Sequence, residues 1–86
     1  MDNPNKNSGR YICPCCGYLT LSSKGQFEIC KVCFWEDDAV QDTDEDYVGG
    51  ANNQSLRQAR DNYGKFGAVT LAAVKYVRKP MPSEIP

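Results

Sequence analysis

The sequence predicts a small α+β zinc-bound domain: a zinc-ribbon-like β-hairpin with two cysteine knuckles, followed by one or two C-terminal helices. Three observations predict this fold class. The chain has only 86 residues, four of its cysteines form two Cys-x-x-Cys pairs, and helical patterns follow the second pair. A domain this short buries little apolar surface, so it commonly needs a metal, disulfides or a partner in order to fold.

The spacing of four cysteines is the strongest signal in the chain. They follow the pattern Cys-x2-Cys-x13-Cys-x2-Cys and are Cys13, Cys16, Cys30 and Cys33. Zinc favours a tetrahedron of thiolates, and each tight Cys-x-x-Cys turn supplies two of them. Pro14 presets the backbone of the first turn, and Gly17 tolerates the positive φ that often follows a second ligand. The pattern predicts one structural Zn²⁺ ion, with iron in a rubredoxin-like site as the alternative.

A zinc site closed by four thiolates leaves no coordination position for water or substrate, so catalysis at the metal is not expected. The chain contains no histidine, and general acid–base chemistry therefore has few candidates. The fifth cysteine, Cys15, does not fit the two-residue spacing and is expected to stay unligated. It is interpreted as a small polarizable side chain, with a redox-active thiol as the alternative.

Alternating side chains between the two cysteine pairs predict a hairpin. Residues 18–21 and 26–29 place apolar side chains at every second position, and the linker between them contains Gly25. The acidic segment that follows, and the Gly-Gly-Ala-Asn-Asn sequence after it, show no clean periodicity. Residues 36–54 are therefore predicted to form a loop.

Two helical patterns follow this loop. Ser55 is the expected N-cap of a helix that runs through Phe66, with Gly67 as its stop. Asn53 is an alternative N-cap two residues earlier. Residues 70–77 fit a second short helix capped by Thr70. A strand over the same residues remains an alternative, because valine and tyrosine also favour strands.

The predicted organisation has three parts: a mobile tail over residues 1–10, one zinc-binding domain over 11–80 and an extended tail over 81–86. The first ten residues lack the apolar segment of a secretory signal. No apolar run reaches the roughly 18 residues of a membrane helix. With an odd number of cysteines and no such signal, the expected compartment is the reducing cytoplasm, without membrane association. The sequence does not define an oligomeric state.

Charge is segregated along the chain, although the formal net charge is only −1. Acidic residues concentrate in residues 36–46 and basic residues from 57 onward. A charge run is most often a solvated loop. The alternatives are an acidic surface that binds a partner, or a divalent-cation or acid–base site at Asp37, Asp38 and Asp42.

Residues of the segment after the last cysteine and of the first predicted helix are candidates for partner binding. Tryptophan is enriched at interaction hot spots, and acidic residues facing a basic partner would speed encounter. The competing interpretation is that Phe34 and Trp35 cover the metal and supply core. The candidate residues are Trp35, Glu36, Asp37, Asp38, Asp42, Arg57 and Arg60.

Several motifs resemble the small cysteine-rich CPCC family. They are Tyr11-x-Cys-Pro-Cys-Cys-Gly-Tyr18, Glu28-Ile-Cys-x-Val-Cys-Phe-Trp-Glu-Asp-Asp38 and Gly49-Gly-Ala-Asn-x-x-Ser-Leu-x-x-Ala-Arg60. The resemblance covers about residues 11–80 and implies a zinc-ribbon-like module of bacteria and their phages, with no assigned reaction. By analogy with small domains that accompany toxins, it also suggests an immunity or inhibitor role. Lys31 stands where proline is common and leaves both neighbouring ligands intact.

The sequence favours a non-catalytic, zinc-stabilised protein-interaction module. Its most specific form is an immunity or inhibitor protein that neutralises a toxin or another protein partner. The first alternative is a nucleic-acid-binding zinc ribbon that uses the basic C-terminal third, although a pI of about 5.2 opposes it. The second alternative is a hydrolase that depends on the carboxylates of residues 36–46.

Overall fold

The computed structural model describes residues 9–86, so residues 1–8 of the predicted mobile tail lie outside the described part. Two short strands come first, β1 (Tyr11–Ile12) and β2 (Leu19–Leu21). Two α-helices follow, α1 (Ala39–Thr43) and α2 (Leu56–Phe66). Two 3₁₀ helices, Leu71–Tyr76 and Pro82–Glu84, complete the order. The predicted fold class, a zinc-ribbon-like α+β domain, is confirmed.

The β-hairpin encloses the first cysteine pair and does not link the two pairs. β1 runs antiparallel to β2, with Tyr11 opposite Leu21. The predicted second arm, residues 26–29, does not join this sheet, and Ile29 instead forms an isolated antiparallel bridge with Glu36 across the second pair. The predicted pairing is therefore wrong. Alternation identifies a strand and its faces, but it does not identify the neighbouring strand.

Helix α1 lies in the segment that was expected to be a loop, and Asp38 sets its start. The Asp38 carboxylate accepts hydrogen bonds from the backbone N–H of Val40 at 2.8 Å and of Gln41 at 3.3 Å. It also accepts one from Ala51 N–H at 2.9 Å, which fastens the following loop to the helix. An aspartate N-cap of this kind stabilises a helix by about 1 kcal/mol. With five residues, α1 is too short for periodicity to reveal it.

Helix α2 confirms the capping prediction. The Ser55 hydroxyl accepts from Gln58 N–H at 3.1 Å, and the Gln58 side chain accepts from Ser55 N–H at 2.9 Å. This reciprocal capping box satisfies two donors at the start of the helix. Gly67 ends the helix in the left-handed conformation with φ 82°. Residues 71–76 adopt the helical alternative, as a 3₁₀ helix whose cap, Thr70, accepts from Ala73 N–H.

The C-terminal residues, which were expected to be extended, form a 3₁₀ turn that buries Glu84 to 1% exposure. Arg78 binds both carboxylate oxygens of Glu84, at 2.9 and 2.8 Å, and Arg10 binds one of them at 3.1 Å. The Arg78 guanidinium is the main reason that the pKa of Glu84 falls to about 2. A buried carboxylate needs such partners to offset its lost hydration. The turn therefore depends on ion pairs that local sequence patterns do not report.

The apolar core lies between the cysteine turns, α2 and the first 3₁₀ helix. Its largest member is Trp35, which has no exposed surface, and Leu21, Leu56 and Ala59 are buried with it. Within residues 9–86, none of the helices has the length and apolarity of a membrane span. The core is thin, and Cys13, Cys30 and Cys33 of the predicted metal site form part of it.

Candidate metal centre and its surroundings

The four cysteines of the predicted metal site meet at one point. The Sγ atoms of Cys13, Cys16, Cys30 and Cys33 all lie within 4.8 Å of one another. The distance is 3.6 Å from Cys13 Sγ to Cys33 Sγ and 3.7 Å from Cys16 Sγ to Cys30 Sγ. A regular tetrahedron with metal–sulfur bonds of about 2.3 Å separates its sulfurs by about 3.8 Å. The cluster therefore fits a tetrahedral four-thiolate metal ion.

The two cysteine turns that carry these ligands share one backbone geometry. Gly17 N–H donates to the carbonyl of Cys13 at 2.9 Å, and Phe34 N–H donates to that of Cys30 at 2.8 Å. Both residues have positive φ, 83° for Gly17 and 77° for Phe34. Glycine adopts this region freely, whereas a residue with a side chain pays about 1–2 kcal/mol. The second turn is therefore strained at Phe34.

Hydrogen-bond donors surround the sulfurs of the second turn. The backbone N–H groups of Val32 and Trp35 each lie 3.4 Å from a sulfur, that of Cys30 and that of Cys33 respectively. The hydroxyl of Thr20, on β2, lies 2.9 Å from Cys30 Sγ. Donors to sulfur favour the thiolate over the thiol and fix the orientation of a ligand. The surroundings of the cluster thus suit metal-bound thiolates.

The donor set itself also favours a cation. Hydrogen bonds from the neighbouring thiols, first that of Cys13, hold the pKa of Cys30 well below its usual range. The contact with Cys16 is the first cause of a pKa of Cys13 well above that range, and burial adds to it. Four thiolates cannot be packed together without a compensating charge. A divalent ion at the centre removes this conflict, because metal binding deprotonates its cysteine ligands.

Cys15 is not among the four clustered sulfurs. It is 8% exposed and packs in the apolar core. Its surroundings match the interpretation of a small polarizable side chain that fills space beside the first turn.

Three of the residues predicted to contact a partner lie inside the molecule. Trp35 and Asp37 have no exposed surface, and Asp38 is 8% exposed. Direct contact with a partner would need surface that these three side chains lack, so the structure corrects this part of the prediction. Trp35 is core, as the competing interpretation held, and its Nε1–H donates to Asp42 Oδ1 at 3.0 Å.

Asp37 and Asp42 form a carboxyl pair beneath residues 22–25. Asp37 Oδ2 accepts from Gly25 N–H at 2.6 Å, and Lys24 Nζ lies 3.8 Å from Asp37 Oδ1. Among the described residues, that Oδ1 atom has no hydrogen-bond partner. Burial and then the contact with Asp37 raise the pKa of Asp42 to about 7. Burial and the neighbouring carboxyl group of Asp37 therefore favour the protonated form of Asp42.

These carboxylates do not assemble a second metal site or an accessible catalytic one. In residues 9–86, the four cysteines are the one group of three or more potential ligands that could share an ion. Asp38 is already used as the cap of α1. Because Asp37 is fully buried, a substrate could not reach it in this conformation. The divalent-cation and hydrolase alternatives gain no support.

The remaining candidates are mostly engaged within the chain. Arg57 Nε donates to Asp46 at 2.7 Å, and an Arg60 guanidinium nitrogen lies 3.1 Å from Glu45. Such exposed pairs contribute about 0–1 kcal/mol each. Glu36 is partly exposed, while its backbone N–H donates to Asn52 Oδ1. Arg57 and Arg60 thus close the acidic segment onto α2.

Sequence reasoning missed the amide network that shapes this segment. Gln41 is fully buried, and its Nε2–H group donates to the carbonyls of Tyr47, Asn52 and Gln54. Its Oε1 accepts from the backbone and the side chain of Asn52 at 3.0 and 2.9 Å. A Cβ atom at Gly50 would lie 2.7 Å from Asp38 Oδ2. The Gly-Gly-Ala-Asn sequence was the available signal, since glycine permits such close approach.

Sequence reasoning also missed an exposed apolar surface on the first 3₁₀ helix. Leu71 is 69% exposed, Tyr76 62% and Val74 41%. With Ala72 and Lys75 they line a shallow depression of about 490 Å³. This helix covers the core with Ala73, and Leu71 and Val74 lie on its exposed side.

Comparison with known proteins agrees with the cluster and its spacing. The model of a family described as cysteine-rich CPCC matches residues 11–84. A comparison with curated proteins gave no match. The matched span includes both cysteine turns, both α-helices and the ion pairs of Glu84 with Arg78. This chain therefore belongs to the cysteine-rich CPCC family.

Proposed function

We propose that this chain is a zinc-stabilised protein-interaction module with no catalytic role of its own. The observation that carries the proposal is the exposed apolar surface of Leu71, Val74 and Tyr76 on the first 3₁₀ helix. Zinc is proposed as the ion because four thiolates in a closed tetrahedron are typical of structural zinc sites. The zinc ion would fix the second cysteine turn, against which the helix that carries this surface packs.

The surface is attached directly to the second cysteine turn. The Phe34 and Tyr76 rings stack with centroids 5.5 Å apart and planes inclined by 23°. Val69 N–H also donates to the carbonyl of Cys33 at 2.9 Å. Side chains that are ordered before binding lose less conformational entropy when a partner docks. Tyrosine is also one of the residues enriched at interaction hot spots.

Charge indicates which partner the surface suits. Among the described residues, Lys65, Lys75 and Lys79 form no ion pair, whereas Arg57 and Arg60 are paired with acids. A protein with an apolar centre and an acidic rim complements this arrangement. The proposed contact therefore lies on residues 65–79, and the acidic segment mainly supports the fold.

An immunity or inhibitor protein acting in the bacterial cytoplasm is the most specific form of this proposal. A small scaffold held together by the proposed zinc ion suits a protein that acts by occupying the surface of a partner. The family analogy with domains that accompany toxins points in the same direction.

The test is to identify a partner from the source cells, purify it, and measure its affinity for two matched variants of the zinc-loaded chain. Leu71→Asp places a charge on the proposed surface, while Val40→Asp changes a similarly exposed residue of α1. We expect Leu71→Asp to weaken binding at least tenfold, and Val40→Asp to change it less than twofold. Equal affinities of the two variants would overturn the proposed surface.

Nucleic-acid binding is the second candidate, favoured by the exposed Tyr76 ring with Lys75 Nζ 5.3 Å from its centroid. Aromatic stacking beside cations is how many proteins bind single strands. The pI of about 5.2 opposes it. Oligonucleotide binding that weakens steeply with salt and in Lys79→Ala, together with no specific protein partner, would replace the first proposal with this one.

A further inference from the structure

A cationic cleft lies between β2, the second cysteine turn and the C-terminal segment. It has a volume of about 280 Å³, and Arg10, Lys31 and Arg78 line it together with Thr20 and Glu28. We propose that this cleft binds a carboxylate group of the protein partner. The inference rests on the proposed function and specifies the chemistry of recognition.

The two arginines retain hydrogen-bonding capacity. Within residues 9–86, the Arg10 guanidinium donates one hydrogen bond, from NH1 to Glu84 at 3.1 Å. A guanidinium carries five N–H donors, and the Arg10 side chain is 39% exposed. Arg78 donates to Glu84 and to the Lys79 carbonyl, and its side chain is 38% exposed. Spare N–H groups at a cleft are suited to planar oxyanions.

The charge balance favours a single negative charge. Three cations line the cleft, while Glu28 at its wall and the buried Glu84 beneath it supply two carboxylates. Lys31 forms no ion pair within the described residues, so one positive charge remains uncompensated. A singly charged carboxylate matches that excess, whereas the larger negative charge of a dianionic phosphate or a nucleic acid strand would be repelled by the two acids. Within the chain, the guanidinium groups of Arg10 and Arg78 already bind one carboxylate, that of Glu84.

The cleft is continuous with the exposed apolar surface. Arg78 also lines a second depression, shared with Phe66 and Val74, and Val74 in turn lines the one beside Leu71. The Arg78 backbone N–H donates to the Lys31 carbonyl at 3.2 Å, which fixes the C-terminal segment against the second turn. A partner segment with apolar residues on Leu71 and Val74 could thus place an acidic side chain, or a chain terminus, in the cleft.

The experiment is a titration of the zinc-loaded full chain with sodium acetate at constant ionic strength, with sodium chloride as the reference, followed by backbone amide NMR shifts. We expect saturable shifts at Thr20, Lys31 and Arg78 with acetate only. Lys31→Ala should weaken acetate binding at least fivefold. Lys65→Ala removes the same charge outside the cleft and should change binding less than twofold. Zinc content of one ion per chain in both variants checks that the fold is retained.

Several outcomes would overturn the inference. The first is that the shifts do not saturate with acetate, or that chloride causes the same shifts. The second is that Lys31→Ala and Lys65→Ala weaken acetate binding equally, which would indicate only a general charge effect. Tighter cleft binding of inorganic phosphate or of a uridine decamer would assign the site to phosphate instead. Acetate binding should survive Leu71→Asp. Failure of the cleft and failure of the proposed apolar surface are therefore distinguishable.

Discussion

The two cysteine turns adopt the same backbone bend with different residues. Both bend the chain through a positive φ after the second ligand, but the first uses Gly17 and the second uses Phe34. The first turn places no side chain at this position. The second places an aromatic ring there, and that ring stacks on Tyr76 of the exposed 3₁₀ helix. The first turn therefore supplies cysteine ligands, whereas the second turn also supports the 3₁₀ helix that carries the proposed binding surface.

The strongest effect is expected at the cysteine ligands, because the proposed zinc ion would join both turns. Cys13→Ser and Cys33→Ser should each lose zinc and unfold, since structural zinc contributes about 10–16 kcal/mol of apparent binding energy. Metal analysis and circular dichroism measure the two losses. Cys15→Ser is the matched control and should keep one zinc per chain. Loss of zinc in that control would contradict the ligand assignment.

A smaller effect separates the two turns directly. Gly17→Ala should destabilise the zinc-loaded chain by about 1–2 kcal/mol, because alanine is strained at positive φ. The same preference is expected at position 34, where Phe34→Gly should be more stable than Phe34→Ala by about 1 kcal/mol. Both should be less stable than the original chain, which keeps the stacked ring. Urea unfolding with zinc in excess measures these differences. Equal stability of the two position-34 variants would show that Phe34 is not strained.

The smallest effect concerns the pH dependence of stability, through Asp42, which accepts a hydrogen bond from Trp35 next to the second turn. The folded-state pKa of Asp42 is raised to about 7 from 3.8, so the folded protein keeps a proton that the unfolded chain releases. That stabilisation is complete below about pH 4 and is lost as the pH rises toward 7. Asp42→Asn should therefore remove this slope and stabilise the chain at pH 8 by about 1 kcal/mol, after allowance for solvent screening.

The control for this pH dependence is Asp44→Asn, because Asp44 is exposed and lies on the same segment. Its unfolding free energy should follow the pH profile of the original chain. Asparagine at position 42 can still accept from Trp35 Nε1–H, so this contact is retained. An unchanged slope in Asp42→Asn would contradict the raised pKa of Asp42.

Features governed by local rules were predictable from the sequence. The four clustered cysteines follow from ligand chemistry and the reach of a Cys-x-x-Cys turn. The bounds of α2 follow from Ser55 and Gly67, which act on backbone groups a few residues away. The cap at Thr70 likewise located the helix over residues 71–76, although it did not predict that this helix is of the 3₁₀ type.

Features that depend on distant partners were not predictable in this way. The strand paired with β2 precedes the first cysteine turn, and alternation alone favoured the wrong neighbour. Acidic residues 37 and 38 were expected at the surface, yet a loop amide, a helix start and a lysine hold them inside. Burial of a charged group is decided by partners that converge from several segments, and one sequence does not show that convergence.

The ion pairs of Glu84 have a consequence for the design of shortened chains. The predicted zinc-binding domain ends at residue 80, and a chain cut there would keep every cysteine and both α-helices. It would also leave Arg10 and Arg78 facing each other without the carboxylate that joins them. Like-charge repulsion would then act beside the second cysteine turn. The minimal unit that preserves the proposed binding surface therefore extends through Glu84, four residues past the predicted end of the domain.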